Sequence, residues 1–239
     1  MNKKLVDESV FDNLDEEKAV MLGLLMADGC VSPMSGSPSL RLQLIDSGPI
    51  YHLQRILKSN HKIQRSTRQL KGYICQPKYR ICISGLWYLG PRLEQLGMTH
   101  PKPTRFPQKV FPELYCHLLR GYFEGDGSVW WVKSRQTIRT SIYGHLPMLD
   151  WIFSVLSRQG IISNRHERPG CFELNFGTCA SIRLYHYLYD DASVVLVDRK
   201  KRKFEQLLQR CMDQSKRRRT THELVGLLKT VSLRSDEVI

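Results

Sequence analysis

The feature that most constrains this chain is a pattern it carries twice. Residues 21–31 read MLGLLMADGCV, and residues 118–129 read LLRGYFEGDGSV. Both hold a glycine, four further residues, Asp-Gly, one residue and a valine. Gly23 answers to Gly121, Asp28 to Asp126, Gly29 to Gly127 and Val31 to Val129, each pair 98 positions apart. A constant offset over so many positions marks one structural unit written twice, and the fold must accommodate both copies.

Each copy has the make-up of a buried, closely packed helix. Residues 19–27 carry no charge on any side, which predicts a helix covered all round. Gly23 and Ala27, like Gly121 and Gly125, stand four apart on one helix face. Small residues at that spacing let two helix backbones come close, a steric effect best documented in membranes. If the copies pack on each other their C-terminal ends meet. Each end then carries an Asp followed by a Gly suited to the left-handed position after a helix. A carboxylate there opposes the helix dipole, and two carboxylates brought together repel. A chain that accepts this cost at both copies is expected to use the acids for chemistry. The natural compensating group is a hard divalent cation such as Mg2+.

The segments MLGLLMADG and LRGYFEGDG resemble the two motifs of the LAGLIDADG homing endonucleases in their single-chain form. The first departs from the family pattern at Met26, where an acid is usual; the second has Glu124 there. The resemblance implies that Asp28 and Asp126 are the catalytic, metal-holding acids, and that the carbonyls of Ala27 and Gly125 complete the metal shell. It implies Mg2+ as cofactor, with Mn2+ or Ca2+ able to take the same place. Lys102 and Lys200 each stand 74 positions after their own Asp. Members of the family keep a lysine near the scissile phosphate in that region, so both are candidate catalytic residues, stabilising charge on phosphorus or polarising the attacking water.

Charge agrees with a polyanionic partner. The chain of 239 residues has 36 Lys and Arg against 23 Asp and Glu, a formal charge of +13. No apolar run approaches the roughly 20 residues needed to span a bilayer, and the acidic start MNKKLVDESVFDNLDEE has no signal-peptide core. The seven cysteines form no CxxC pair and read as reduced thiols, not a zinc site or a disulfide framework. An intracellular protein without a membrane partner is expected, cytoplasmic and organellar sites being equally open.

In chain order, residues 1–14 read as a lead-in, 15–96 as the first repeat, 97–111 as a linker with three prolines, 112–203 as the second repeat and 204–239 as a basic helical tail. After the first motif helix, strands are expected at 30–35 and 40–46, a helix at 49–60, a strand pair at 61–69 and 73–84, and a short helix at 86–96. The second copy repeats this with strands at 128–134 and 135–143, a helix at 145–160, strands at 161–168 and 171–178, and a helix at 181–189. Short helices follow at 204–212 and 222–229. Each half is thus αββαββα. The fold class is α+β, with saddle-like antiparallel sheets and the two motif helices packed at a pseudo-dyad.

In residues 40–44 the leucines alternate with Arg41 and Gln43, so one sheet face is apolar and the other polar. A polar sheet face suits the major groove, which admits a two-stranded ribbon. Candidate DNA contacts are Arg41, Gln43, Arg65, Arg68, Lys78 and Arg80 in the first half, and Lys133, Arg135, Arg139, Ser141, Arg165 and Arg168 in the second. The expected activity is metal-dependent hydrolysis of one phosphodiester on each strand of a long, quasi-palindromic double-stranded DNA site, of the intron-homing kind, by a monomer with internal twofold symmetry. The alternative is a maturase of the same fold that binds its host intron RNA with little or no cleavage. A transcription factor built on a degenerate copy would have lost an acid and gained a helix-turn-helix. An intein origin is not expected, because the chain starts MNKK and ends DEVI without splicing residues.

Overall fold

The computed structural model describes residues 5–32, 37–67, 69–70, 73–99 and 102–218. It divides into two compact units, Met1–Asp126 with Val194–Val197, and Gly127–Ser193 with Asp198–Ile239.

The first unit opens with helix α1 (Glu16–Asp28), whose N-cap Asp15 accepts a hydrogen bond from the Lys18 amide at 2.9 Å. Its residues Ala19 to Ala27 are all buried, as the uncharged window predicts. Strands β1 (Cys30–Val31) and β2 (Ser39–Leu44) lead to helix α2 (Gly48–Ile56). Strands β3 (Gln64–Ser66), β4 (Gln69–Leu70), β5 (Tyr73–Ile74) and β6 (Lys78–Ser84) follow, then helix α3 (Leu89–Gln95). β1, β2, β6 and β3 form an antiparallel four-stranded sheet in that order, while β4 and β5 pair as a separate hairpin. Leu40, Leu42, Ile81 and Ile83 turn inward beneath α2, which adds Ile50, Leu53 and Leu57 to the core. A 3-10 turn (Pro112–Leu114) precedes helix α4 (Tyr115–Asp126), which packs along α1.

The second unit begins where α4 ends. Strands β7 (Gly127–Val132) and β8 (Thr137–Gly144), helix α5 (Leu146–Arg158), strands β9 (Ser163–Arg168) and β10 (Cys171–Phe176) and helix α6 (Thr178–Tyr189) run in the same sequence as in the first copy. The sheet order is β7, β8, β10, β9, all antiparallel. Strand order thus repeats between the two sheets, hairpin for hairpin, and the architecture is α+β as the duplication requires.

Three details differ from the sequence reading. Helix α7 (Asp198–Arg218) is one long helix and starts earlier than the short helix expected at 204. Phe204, Leu208, Cys211 and Met212 give it a buried stripe, with the Phe204 ring edge-on to Tyr185 at 5.2 Å. Gly29 has φ −74 and ψ 152, so it is not the left-handed cap expected. It is there for space: a Cβ would meet the Leu25 carbonyl oxygen at 2.5 Å. The span 97–111, expected as a plain linker, contains a 3-10 turn (Lys102–Thr104) and the buried Arg105. The helix expected at 222–229 lies outside the described residues.

Candidate active site and nucleic-acid face

The site begins with the contact between α1 and α4. A Cβ added to Gly23 would lie 2.8 Å from the Tyr122 nitrogen and 2.9 Å from the Leu118 carbonyl carbon. A Cβ on Gly121 would lie 2.7 Å from the Val20 carbonyl carbon and 3.0 Å from the Leu24 nitrogen. Leu118 and Val20, and Tyr122 and Leu24, are themselves pairs 98 apart. One contact is therefore made twice, and this helix pair has its own twofold symmetry. Backbone touches backbone at both glycines, which no other residue allows.

Close approach continues to the C-terminal ends. A Cβ at Gly125 would meet the Ala27 methyl and would sit 2.9 Å from Asp28 Oδ2. The Asp28 carboxylate therefore lies over the backbone next to Asp126. The Tyr122 hydroxyl, buried between the helices, donates to the Asp126 carboxylate. Burial raises its pKa well above the ordinary phenol value. The charges of Asp126 and Asp28 push the same way and Arg105 pushes back, so one phenol senses both acids.

Lys102 enters this cluster from the 3-10 turn. Its ammonium donates to the Ala27 carbonyl and lies 3.8 Å from Asp126 Oδ2, joining the first motif to the second. Arg105 holds the turn in place. It is 3 % exposed and donates from Nε to the Thr99 carbonyl at 3.0 Å and from Nη1 to the Gly29 carbonyl at 2.9 Å. Burial lowers its pKa. In the second unit Lys200 Nζ donates to the Gly127 carbonyl at 2.7 Å. Lys102 thus bonds to the residue before its acid and Lys200 to the residue after.

The donor set fits a hard divalent cation. Carboxylates and main-chain carbonyls offer only oxygen, and the Lys102 ammonium among them shows that the cluster accepts positive charge. Among the described residues no three His, Cys, Asp or Glu side chains gather, so the oxygen donors on hand are the two carboxylates and the neighbouring main-chain carbonyls.

Each sheet has one polar face, fixed by strand alternation. In the first, Arg41, Gln43, Lys78 and Arg80 share a face with Gln64 and Cys82. Arg80 donates to the Gln64 side-chain carbonyl. In the second, Arg139 and Arg168 share a face with Glu173 and Asn175.

No protein-family model matches the sequence, and no curated protein does. Solved structures do match in fold. The LAGLIDADG homing endonuclease I-GzeII in complex with its DNA target superposes with a TM-score of 0.57 at 10 % identity, over 91 % of this chain and 97 % of that one. The homing endonuclease I-WcaI bound to its DNA recognition sequence gives 0.56 at 11 % identity, over 78 % and 85 %. I-SmaMI, bound to uncleaved DNA target with calcium ions, gives 0.52 at 12 % identity, over 91 % and 98 %. The chain has the LAGLIDADG homing-endonuclease fold.

Within the LAGLIDADG helix pair, the structure brings Asp28, Asp126, Lys102, Ala27 and Gly125 together. The candidate DNA contacts are more divided. Arg41, Gln43, Lys78, Arg80, Arg139 and Arg168 fall on the polar faces. Arg65 pairs with Tyr79 and so belongs to the opposite face of its sheet. Arg165 pairs with Leu174 and forms an ion pair with Asp150 of α5, on the helix side. Ser141 is on the polar face but fully buried, its hydroxyl donated to Glu173. Lys133 and Arg135 are exposed in the turn after β7, not on strands. Arg68 lies outside the described residues.

Four residues at the LAGLIDADG helices escaped the sequence reading. Arg105 and Tyr122 surround the acids as described. Glu124, 3 % exposed, accepts from the Leu196 and Val197 amides, both at 2.9 Å, and so ties the segment before α7 to α4. Arg120, 1 % exposed on its side chain, pairs with Glu16 of α1 at 2.6 Å. A buried polar side chain with its hydrogen-bond partners in place is costly to disturb. The signal available for Glu124 and Arg120 was their charge inside an otherwise apolar helix.

Proposed function

We propose that the chain is a metal-dependent, site-specific double-strand DNA endonuclease of the intron-homing kind, cutting one phosphodiester on each strand. The observation that carries this reading is the contact of α1 and α4 through Gly23 and Gly121, which delivers two acids and a lysine to one place. Phosphodiester hydrolysis needs anionic ligands for a cation, a charge stabiliser at phosphorus and a surface that holds the duplex. A divalent cation, Mg2+ in the cell, would supply Lewis acidity and neutralise the leaving oxygen. Asp28 and Asp126 would hold it, with the Ala27 and Gly125 carbonyls as further oxygen donors. Lys102 and Lys200 would stabilise charge on the transferring phosphate, their ammonium groups being already fixed by main-chain carbonyls beside the acids.

Each polar sheet face would take one half of a long, roughly palindromic site, with Arg and Gln side chains meeting phosphates and base edges. The net charge of +13 supports the electrostatic part of that binding.

Cleavage of plasmids carrying candidate sites tests the reading. Wild type should linearise its target in Mg2+, whereas D28N and D126N should bind the site and leave it uncut. Equal cleavage by wild type and both variants would falsify it, as would protection of an intron RNA with no DNA cut by any of them.

A further inference from the structure

The polar face of the second sheet contains a group out of place on a surface meant for a polyanion. Glu173 stands at its centre, 2 % exposed, on β10 between Arg168 and the β8 residues Ser141 and Tyr143. An open carboxylate here would repel phosphate. This one is consumed. Its Oε1 accepts from Ser141 Oγ, from Asn175 Nδ2 at 3.3 Å and from the Tyr143 hydroxyl at 3.4 Å. Its Oε2 accepts from Arg168 Nε at 2.6 Å and lies 2.5 Å from Arg168 Nη2. Asn175 extends the network, donating to Ser141 Oγ at 3.1 Å and accepting from Arg139 Nη1 at 3.3 Å. Burial alone would raise the Glu173 carboxyl. The hydrogen bonds from Ser141, Arg168 and Asn175 outweigh it and hold the group ionised, below the ordinary glutamate value.

We propose that Arg168 reads a guanine in the major groove of the target and that Glu173 is the positioning residue that fixes it for that contact. The inference rests on the DNA-cleavage reading above and names one of its specificity determinants.

Three physical points support it. An arginine side chain loses rotamer freedom when it binds, and one already locked by a carboxylate has little left to lose. A guanidinium has five N–H donors. Nε and one Nη2 proton serve Glu173, which leaves the Nη1/Nη2 edge with two parallel N–H bonds, the fork that matches guanine O6 and N7. Charge then decides between base and phosphate. A guanidinium paired to a carboxylate has lost most of its net attraction for phosphate but keeps its directional donors, and only a base edge uses direction. The Arg168 side chain is 51 % exposed, so its outer edge is reachable. Arg80 in the first sheet is held instead by the neutral Gln64 amide and keeps its full charge.

Selection from a fully randomised duplex pool, read as base preference at each position, tests the proposal on the whole chain. Wild type should show a guanine at a position that R168A and R168K no longer prefer. For R168K, which keeps a cation beside Glu173, affinity for the guanine-bearing duplex should fall on the order of ten- to a hundredfold, and little for the other three bases. E173Q should relax the same position and no other, with a salt dependence of binding no shallower than wild type, because no phosphate contact is lost and the Arg168 charge is released. Glu173 is buried, so if E173Q does not fold, the exposed Arg168 variants carry the test alone. The proposal is overturned if the R168 variants keep the wild-type preference everywhere. It is equally overturned if they weaken all duplexes evenly with a shallower salt slope, which marks a phosphate contact. A wild-type chain that selects no sequence at all overturns the endonuclease reading instead.

Discussion

Alanine at Gly121 should separate the two motif helices and disable the site at their ends. The added methyl would sit 2.7 Å from the Val20 carbonyl carbon and 3.0 Å from the Leu24 nitrogen. Ordinary carbon contacts lie at about 3.5–4.0 Å, so the helices must part by roughly 1 Å. The obstructing atoms, with the Val20 carbonyl oxygen nearest of all, are backbone, and no rotamer change relieves the clash. Alanine is better than glycine inside a helix by about 1 kcal/mol, whereas overpacking a dense core costs about 1–3 kcal/mol and at times more. With backbone on the far side of the clash the cost falls at the upper end, about 2–3 kcal/mol, so the clash should win by about 1–2 kcal/mol, lowering Tm by roughly 2–8 °C for a chain of this size. Activity should suffer more than stability, since a 1 Å misplacement at a reacting centre can cost on the order of a hundredfold in rate. Gly48 provides the internal control. A Cβ there meets only the Leu196 carbonyl oxygen, at 3.8 Å, so G48A should leave stability and cleavage close to wild type. Thermal melts beside plasmid cleavage rates decide the matter. A G121A variant that melts above wild type and cuts at the normal rate refutes the close contact.

Two further outcomes follow from the geometry. K102M removes the ammonium held by the Ala27 carbonyl beside Asp126; single-turnover cleavage should fall on the order of 10²–10³-fold with target affinity nearly unchanged, the scale seen when one charge-stabilising donor is lost. The Glu173 carboxyl has its folded pKa held below the ordinary 4.5. It therefore contributes stability that is complete above that value and is lost as pH falls through the folded one. Melts between about pH 6 and pH 3 should show a shallower acid decline for E173Q than for wild type.

Much of this arrangement was legible in the residues, and the losses have physical causes. The uncharged window 19–27 became a helix buried on every side, because an apolar cylinder has no face to offer water. Leu40 and Leu42 turned inward and Arg41 and Gln43 outward, since alternation within a strand is fixed by the pleat. Which parity a strand adopts depends on its partner, however. Arg65 and Arg165 went to the other face because pairing with Tyr79 and Leu174 set their registers. Arg105 gave no signal in a proline-containing stretch without period: its anchors are main-chain carbonyls, which carry no side-chain identity. The Asp-Gly glycines were found for the wrong reason. Gly29 is required for space against Leu25, not for a left-handed turn.

The claim that both acids serve one cation-dependent centre is met most directly by the anomalous scattering of Mn2+ in crystals of the chain with its selected DNA. Manganese density against carboxylate oxygens of both Asp28 and Asp126, beside the scissile phosphate, is the result this account predicts. Manganese bound elsewhere, with neither aspartate among its ligands, would contradict it.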